Sequence, residues 1–141
     1  MLNDNEHGME CLKRLNGKII IVPGNHDTRT RVALYDTLPN VEVLKTNIKG
    51  LTGVGAAYFD YEKYRFYISH HPTETANMEK DLRLRGRLIN LYGHTHQQTK
   101  FMGDAPYQYH VGLDAHNCTP VLLDDAIQDM KAKAIECISA I

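Results

Sequence analysis

The first apolar positions, Met9, Leu12 and Leu15, recur at helical spacing behind Asn5-Glu6, and Asn16-Gly17 supplies a stop, which predicts a helix. Lys18-Ile19-Ile20-Ile21-Val22 is then a continuous, mostly β-branched run closed by Pro23-Gly24, the mark of a strand buried on both faces of an α/β sheet. A second helix is predicted from Thr30 to Leu38, ended by Pro39-Asn40, with a short strand over Val41 to Leu44. The pattern then turns mainly to strands: Ile48 to Val54, Ala57 to Tyr61 and Tyr64 to Ser69, the last two joined by a tight turn at Glu62-Lys63. A helix through Met78 to Leu84 precedes the apolar strand Leu88 to Tyr92, which ends in glycine, and Tyr107 to Val111 reads as one more strand. At the C-terminus Ile127, Met130, Ala134, Ile138 and Ile141 fall on one helical face, with Asp124 or Asp125 as the cap.

No internal repeat or Gly/Ser-rich linker interrupts these elements, so the 141 residues are expected to form a single domain. A hydrophobic content of 43% and a charged content of 23% suit a globular fold. Without a long apolar run or a signal-like N-terminus, no membrane partner is expected and the default location is cytoplasmic. Sixteen basic residues against seventeen acidic ones give a net charge of −1, so no global field recruits nucleic acid, and any phosphate affinity must be local. Cys11, Cys118 and Cys137 are odd in number and widely spaced; they are expected to be free thiols in packing positions, not a disulfide framework or a zinc knuckle.

Histidine changes this picture. Gly24-Asn25-His26-Asp27, His70-His71-Pro72 and Gly93-His94-Thr95-His96 each follow directly on a predicted strand. The ends of parallel strands meet along one edge of a sheet, so such clusters can converge from distant parts of a sequence. Imidazole nitrogen and amide oxygen, without cysteine, favour a catalytic site for a divalent transition ion over a structural one. In His94-X-His96 the two rings of an extended segment point to opposite sides, which suits two adjacent ions.

In order and strand context, the GNHD at 24–27, the strand-ending His70 and the GHTH at 93–96, together with Val111-Gly112-Leu113-Asp114, resemble calcineurin-like metallophosphoesterases of the small bacterial and phage type. The likeness runs over nearly the whole chain. It implies an α/β fold, a β-sandwich flanked by helices, and hydrolysis of phosphate mono- or diesters by metal-activated water. It implies one or two divalent ions, manganese, iron, zinc or nickel, with Asn25, His70 and His94 on the second and His96 on the first. His26 would stabilise developing charge or protonate the leaving oxygen, and Asp27 would orient its ring. The substrate is a phosphate ester, and nucleic acid enters only as such a substrate.

The resemblance also has a gap. The family's Asp-X-His and Gly-Asp motifs, which supply most of the first ion's ligands and the bridging aspartate, do not occur before Gly24; Asp4, after Asn3, is the nearest approach to the second of them. The expectation is therefore a sandwich incomplete at its N-terminus, with an exposed edge at Ile19 to Val22 open to self-association. The alternative is a catalytically inactive remnant that binds metal or a partner. His71 is a secondary candidate for substrate contact, and His7, His110 and His116 read as surface or structural residues. Tyr58, Tyr61, Tyr64 and Tyr67 read as sheet packing, and Arg83, Arg85 and Arg87 as a solvated basic turn.

Overall fold

The computed structural model describes residues 5–44, 55–75, 84 and 86–140. The chain is a mixed α/β structure that divides into two compact units, Met1–Ala56 and Ala57–Ile141. The strand expected over Ile48 to Val54, Arg83, Arg85, Ile141 and the candidate bridge Asp4 lie outside the described residues. So does the helix expected over Met78 to Leu84, except for Leu84 itself, which is buried and belongs to no helix or strand.

In the first unit, helix α1 (Asn5–Lys13) and helix α2 (Arg29–Tyr35) accompany a parallel pair of strands, β1 (Ile19–Ile21) and β2 (Val41–Val43), in which Ile19 lies opposite Val41. Leu12, Tyr35, Leu38 and Val43 form its core, with Met9, Ile21 and Val32 packed around them. Gly17, at φ +82°, takes the left-handed turn out of α1 that a side chain would resist. The expectation that β1 is buried on both faces is corrected here: Ile20 is 52% exposed, and Ile19 and Ile21 are only half-buried.

In the second unit, β3 (Ala56–Tyr61), β4 (Tyr64–Ser69), β5 (Leu88–Tyr92) and β6 (Gln108–His110) form one sheet in that order. The Glu62-Lys63 turn joins β3 and β4 as a hairpin, with Glu62 at φ +52°, while β4–β5 and β5–β6 are parallel. The pleat sends alternate residues to opposite faces. One face carries Phe66, Ile89, Leu91 and Tyr109 under helix α3 (Leu123–Ser139), whose Ala126, Ile127, Met130 and Ala134 complete the core. Tyr109 reaches through it to donate from its hydroxyl to Asp129 at 2.6 Å, and Lys100 donates to the same carboxylate at 2.7 Å. Burial opposes the charge on Asp129, but these two donors outweigh it and hold its pKa below the usual carboxylate value.

Other expectations are corrected in detail. Leu122 occupies the N-cap of α3 without a side-chain bond, and Asp124 and Asp125 sit inside its first turn, where they complement the helix dipole. Ile138 leaves the buried stripe and is 57% exposed, because the helix runs past the end of the core. Tyr64 is buried as sheet packing, whereas Tyr58 is exposed; Arg87 is buried with its guanidinium 5.9 Å from the Tyr107 ring centre instead of lying in a solvated turn. Cys118 is exposed, not packed. Among the described residues no helix is long and apolar enough to cross a membrane.

The two α3 positions that share a stripe in the sequence are thus expected to differ sharply. Met130→Ala should lose about 2–5 kcal/mol in urea unfolding, and Ile138→Ala should stay within about 0.5 kcal/mol of the parent. Equal effects would contradict this packing of α3.

Candidate metal centre

The register of β4 against β5 sets the site. Ser69 lies opposite Tyr92, so the chain leaves both strands at the same edge, and the Gly93 amide donates to the His70 carbonyl at 3.1 Å. His94 follows at once. Its Nδ1 lies 3.0 Å from His70 Nε2, close enough for one imidazole N–H to donate to the other ring's lone pair.

His71 joins them through a set of buried polar groups on the sheet face opposite α3. Asn90, fully buried in the middle of β5, accepts from the Thr73 amide at 2.8 Å and donates to Ser69 Oγ at 2.9 Å and to the Tyr67 carbonyl at 3.2 Å. Ser69 Oγ donates to the His71 carbonyl at 2.8 Å, and Gln108 Nε2 donates to the Thr73 carbonyl at 3.1 Å. The segment after β4 is therefore stitched to the sheet, and His71 is turned back onto the other two rings. Its ring centre lies 4.9 Å from that of His70 and 4.1 Å from that of His94.

The donor set fits a divalent ion. One ring nitrogen from each of His70, His71 and His94 can be chosen so that all three lie within 4.8 Å of one another. Two nitrogens bound at Zn–N distances of about 2.0–2.1 Å in a tetrahedral shell stand roughly 3.3–3.4 Å apart. The His70–His94 pair, at 3.0 Å, is already within a few tenths of an ångström of that spacing, and a His71 nitrogen lies within 4.8 Å of both, so a larger adjustment falls to that ring. Three neutral nitrogen donors suit zinc, nickel, copper, cobalt or iron better than magnesium or calcium.

The GHTH loop carries strain. His94 is at φ +63° and His96 at φ +48°, and the Thr95 amide donates to the Gly93 carbonyl at 2.7 Å around His94. A bond of that span about a residue of positive φ is a strained γ-turn, and each left-handed residue costs on the order of 1–2 kcal/mol. Gln97 anchors the loop by donating from Nε2 to Tyr92 Oη at 3.0 Å, and burial pushes the Tyr92 phenol above its ordinary pKa.

The remaining expected residues are placed as follows. His96 is exposed, and its Nδ1 lies 3.0 Å from Asp114 Oδ2. Asn25 and His26, in the first unit, are exposed on the turn between β1 and α2, where the His26 carbonyl accepts from Arg31 Nη1 at 2.9 Å. Both oxygens of Asp27 accept hydrogen bonds, Oδ2 from the Gly24 amide at 2.8 Å and Oδ1 from Tyr35 Oη at 3.0 Å, which ties its carboxylate to the turn. Burial first, and then the Asp27 hydrogen bond, push the Tyr35 phenol up to about 12. Of the expected ligands the structure thus gathers His70 and His94 with His71, and separately pairs His96 with Asp114.

Compared with protein-family models, curated protein sequences and solved structures, the chain finds no match in any of the three.

The sequence alone assigns no role to Asn90, Thr73 or Gln108, and Ser69 offers no case as a covalent nucleophile there. The one available signal was an amide inside the apolar run Leu88-Ile89-Asn90-Leu91-Tyr92, since a buried amide demands partners. Asn90→Leu keeps the bulk, strands the Thr73 amide and should cost about 1–3 kcal/mol in urea unfolding. It should also weaken zinc binding at His71. Unchanged stability and unchanged zinc affinity would together contradict the role given to this amide.

Proposed function

We propose that the chain is a metal-dependent hydrolase of phosphate mono- or diesters. The observation that carries this reading is the convergence of three imidazoles, His70, His71 and His94, at the carboxyl edge of adjacent parallel strands. The resemblance of the GNHD and GHTH segments to metallophosphoesterases supplies the reaction class.

A divalent ion held by these rings supplies Lewis-acid polarisation of a phosphoryl oxygen and activation of water. The protein's own contribution is chiefly electrostatic. Because all three donors are neutral, they leave the ion's charge uncancelled, and a dianionic or monoanionic ester finds a local attraction that a chain of net charge −1 does not otherwise offer. The strained His94 backbone and the hydrogen-bonded His70–Thr73 segment hold the donors in place before a ligand arrives. The same resemblance implies His26 as the acid for the leaving oxygen and Asp27 as the group that orients its ring.

A second reading, a metal-binding module without turnover, is favoured by one feature: among the described residues the three-histidine group contains no carboxylate to bridge a second ion. One assay separates the two. Full-length chain supplied with manganese, zinc or nickel should hydrolyse an aryl phosphomonoester or phosphodiester, and chelation should abolish this. His70→Ala or His94→Ala should lose at least the roughly 10–100-fold that even outer-sphere changes cost at metal sites. His26→Ala should lower kcat by about 10²-fold or more while metal binding persists. Metal bound at the histidines with no turnover of either ester would select the module instead.

A further inference from the structure

The Val111-Gly112-Leu113-Asp114 stretch holds no role in the reading above, yet it is built with care. Gly112 precedes a 3₁₀ turn, Leu113–Ala115, closed by the Ala115 amide donating to the Gly112 carbonyl at 3.1 Å and the His116 amide donating to the Leu113 carbonyl at 3.1 Å. A Cβ on Gly112 would come within 2.6 Å of His110 Nε2 and 2.7 Å of its Cε1, so only glycine lets the turn lie against that ring. His110 is 1% exposed at the end of β6, and buried His116 donates from Nε2 to the His110 carbonyl at 2.8 Å. Two buried histidines thus clamp a turn whose exposed product is Asp114.

Asp114 in turn meets His96, with Oδ2 3.0 Å from Nδ1. A carboxylate is an acceptor only, so Nδ1 must carry the proton, which leaves Nε2 as the ring's lone-pair donor. The His96 side chain is 80% exposed and that of Asp114 48%, and a pair this open to water contributes little to folding. What the contact does instead is choose a tautomer and fix a ring, on a residue whose backbone is itself held at φ +48°.

We infer that Asp114 is the positioning residue of His96, holding it in the Nδ1–H form with Nε2 presented outward as a ligand donor. As far as it concerns metal, this rests on the reading of His96 as a ligand; the pair itself stands on geometry alone. A carboxylate hydrogen-bonded to the far nitrogen of a ligating histidine fixes the ring's orientation and raises its basicity. The buried His110–Gly112–His116 clamp then serves to aim this carboxylate.

The test uses full-length ¹⁵N-labelled protein without metal, at a pH well above the ordinary histidine pKa of about 6.5. Long-range ¹H–¹⁵N correlation should show His96 protonated on Nδ1 in the parent. Asp114→Ala should convert it to a tautomer mixture, and Asp114→Asn, which retains an acceptor oxygen, should restore much of the Nδ1–H form. Protonation on Nε2 in the parent, or a tautomer that is unchanged in Asp114→Ala, overturns the inference. The parent spectrum decides even if a variant fails to fold. A zinc titration monitored by calorimetry then addresses the metal role: Asp114→Ala should weaken the His96-dependent ion by about 10–100-fold. Zinc binding that is identical in the parent and His96→Ala would remove His96 from the metal site and so defeat the reading beneath, while the tautomer result would still decide the pair.

Discussion

The amide of Asn90 is the contact on which the rest of the site depends. It lies on the inner strand of a parallel trio, fully shielded from water, with its oxygen committed to Thr73 and its nitrogen to Ser69 and Tyr67. A buried amide left without partners would cost about 1–3 kcal/mol for each unmet group. The chain after β4 is therefore not free to leave the sheet. It returns across the face opposite α3, and that return brings His71 beside its two neighbours. The opposite faces of one sheet thus do different work: Phe66, Ile89, Leu91 and Tyr109 supply the hydrophobic core, and Ser69, Asn90 and Gln108 supply the geometry.

The second constraint is electrostatic. Burial pushes His110 below its ordinary pKa, and the nearby His116 and His96 push in the same direction against the Asp114 carboxylate, which favours an uncharged ring beneath the turn. The exposed carboxylate is left to act outward on His96.

Much of the fold was legible in the sequence because its elements are locally consistent. Tyr64–Ser69 and Leu88–Tyr92 coincide with their expected limits, since each is an apolar run closed by turn-forming residues; α1 and α3 follow from apolar spacing, and α2, expected over Thr30 to Leu38, runs from Arg29 to Tyr35. What local pattern does not carry is cover: Ile20 and Ile138 are apolar by sequence and exposed in the fold. The site divides in the same way. His70 and His94 stood out because each follows a strand, and parallel pairing then made them neighbours. His71 was underrated because its placement depends on side chains from β5 and β6 that lie far from it in sequence. Asp114 was noticed only as part of a resemblance; its contact with His96 is tertiary and leaves no trace in spacing.

The central claim is that His70, His71 and His94 can together hold one ion. X-ray absorption on the full chain loaded with one equivalent of zinc tests it most directly. The account predicts a shell of light donors at about 2.0–2.1 Å with the multiple scattering of three imidazoles, falling to two in His71→Ala. Zinc held without imidazole scattering, or a spectrum that His71→Ala leaves unchanged, would contradict it.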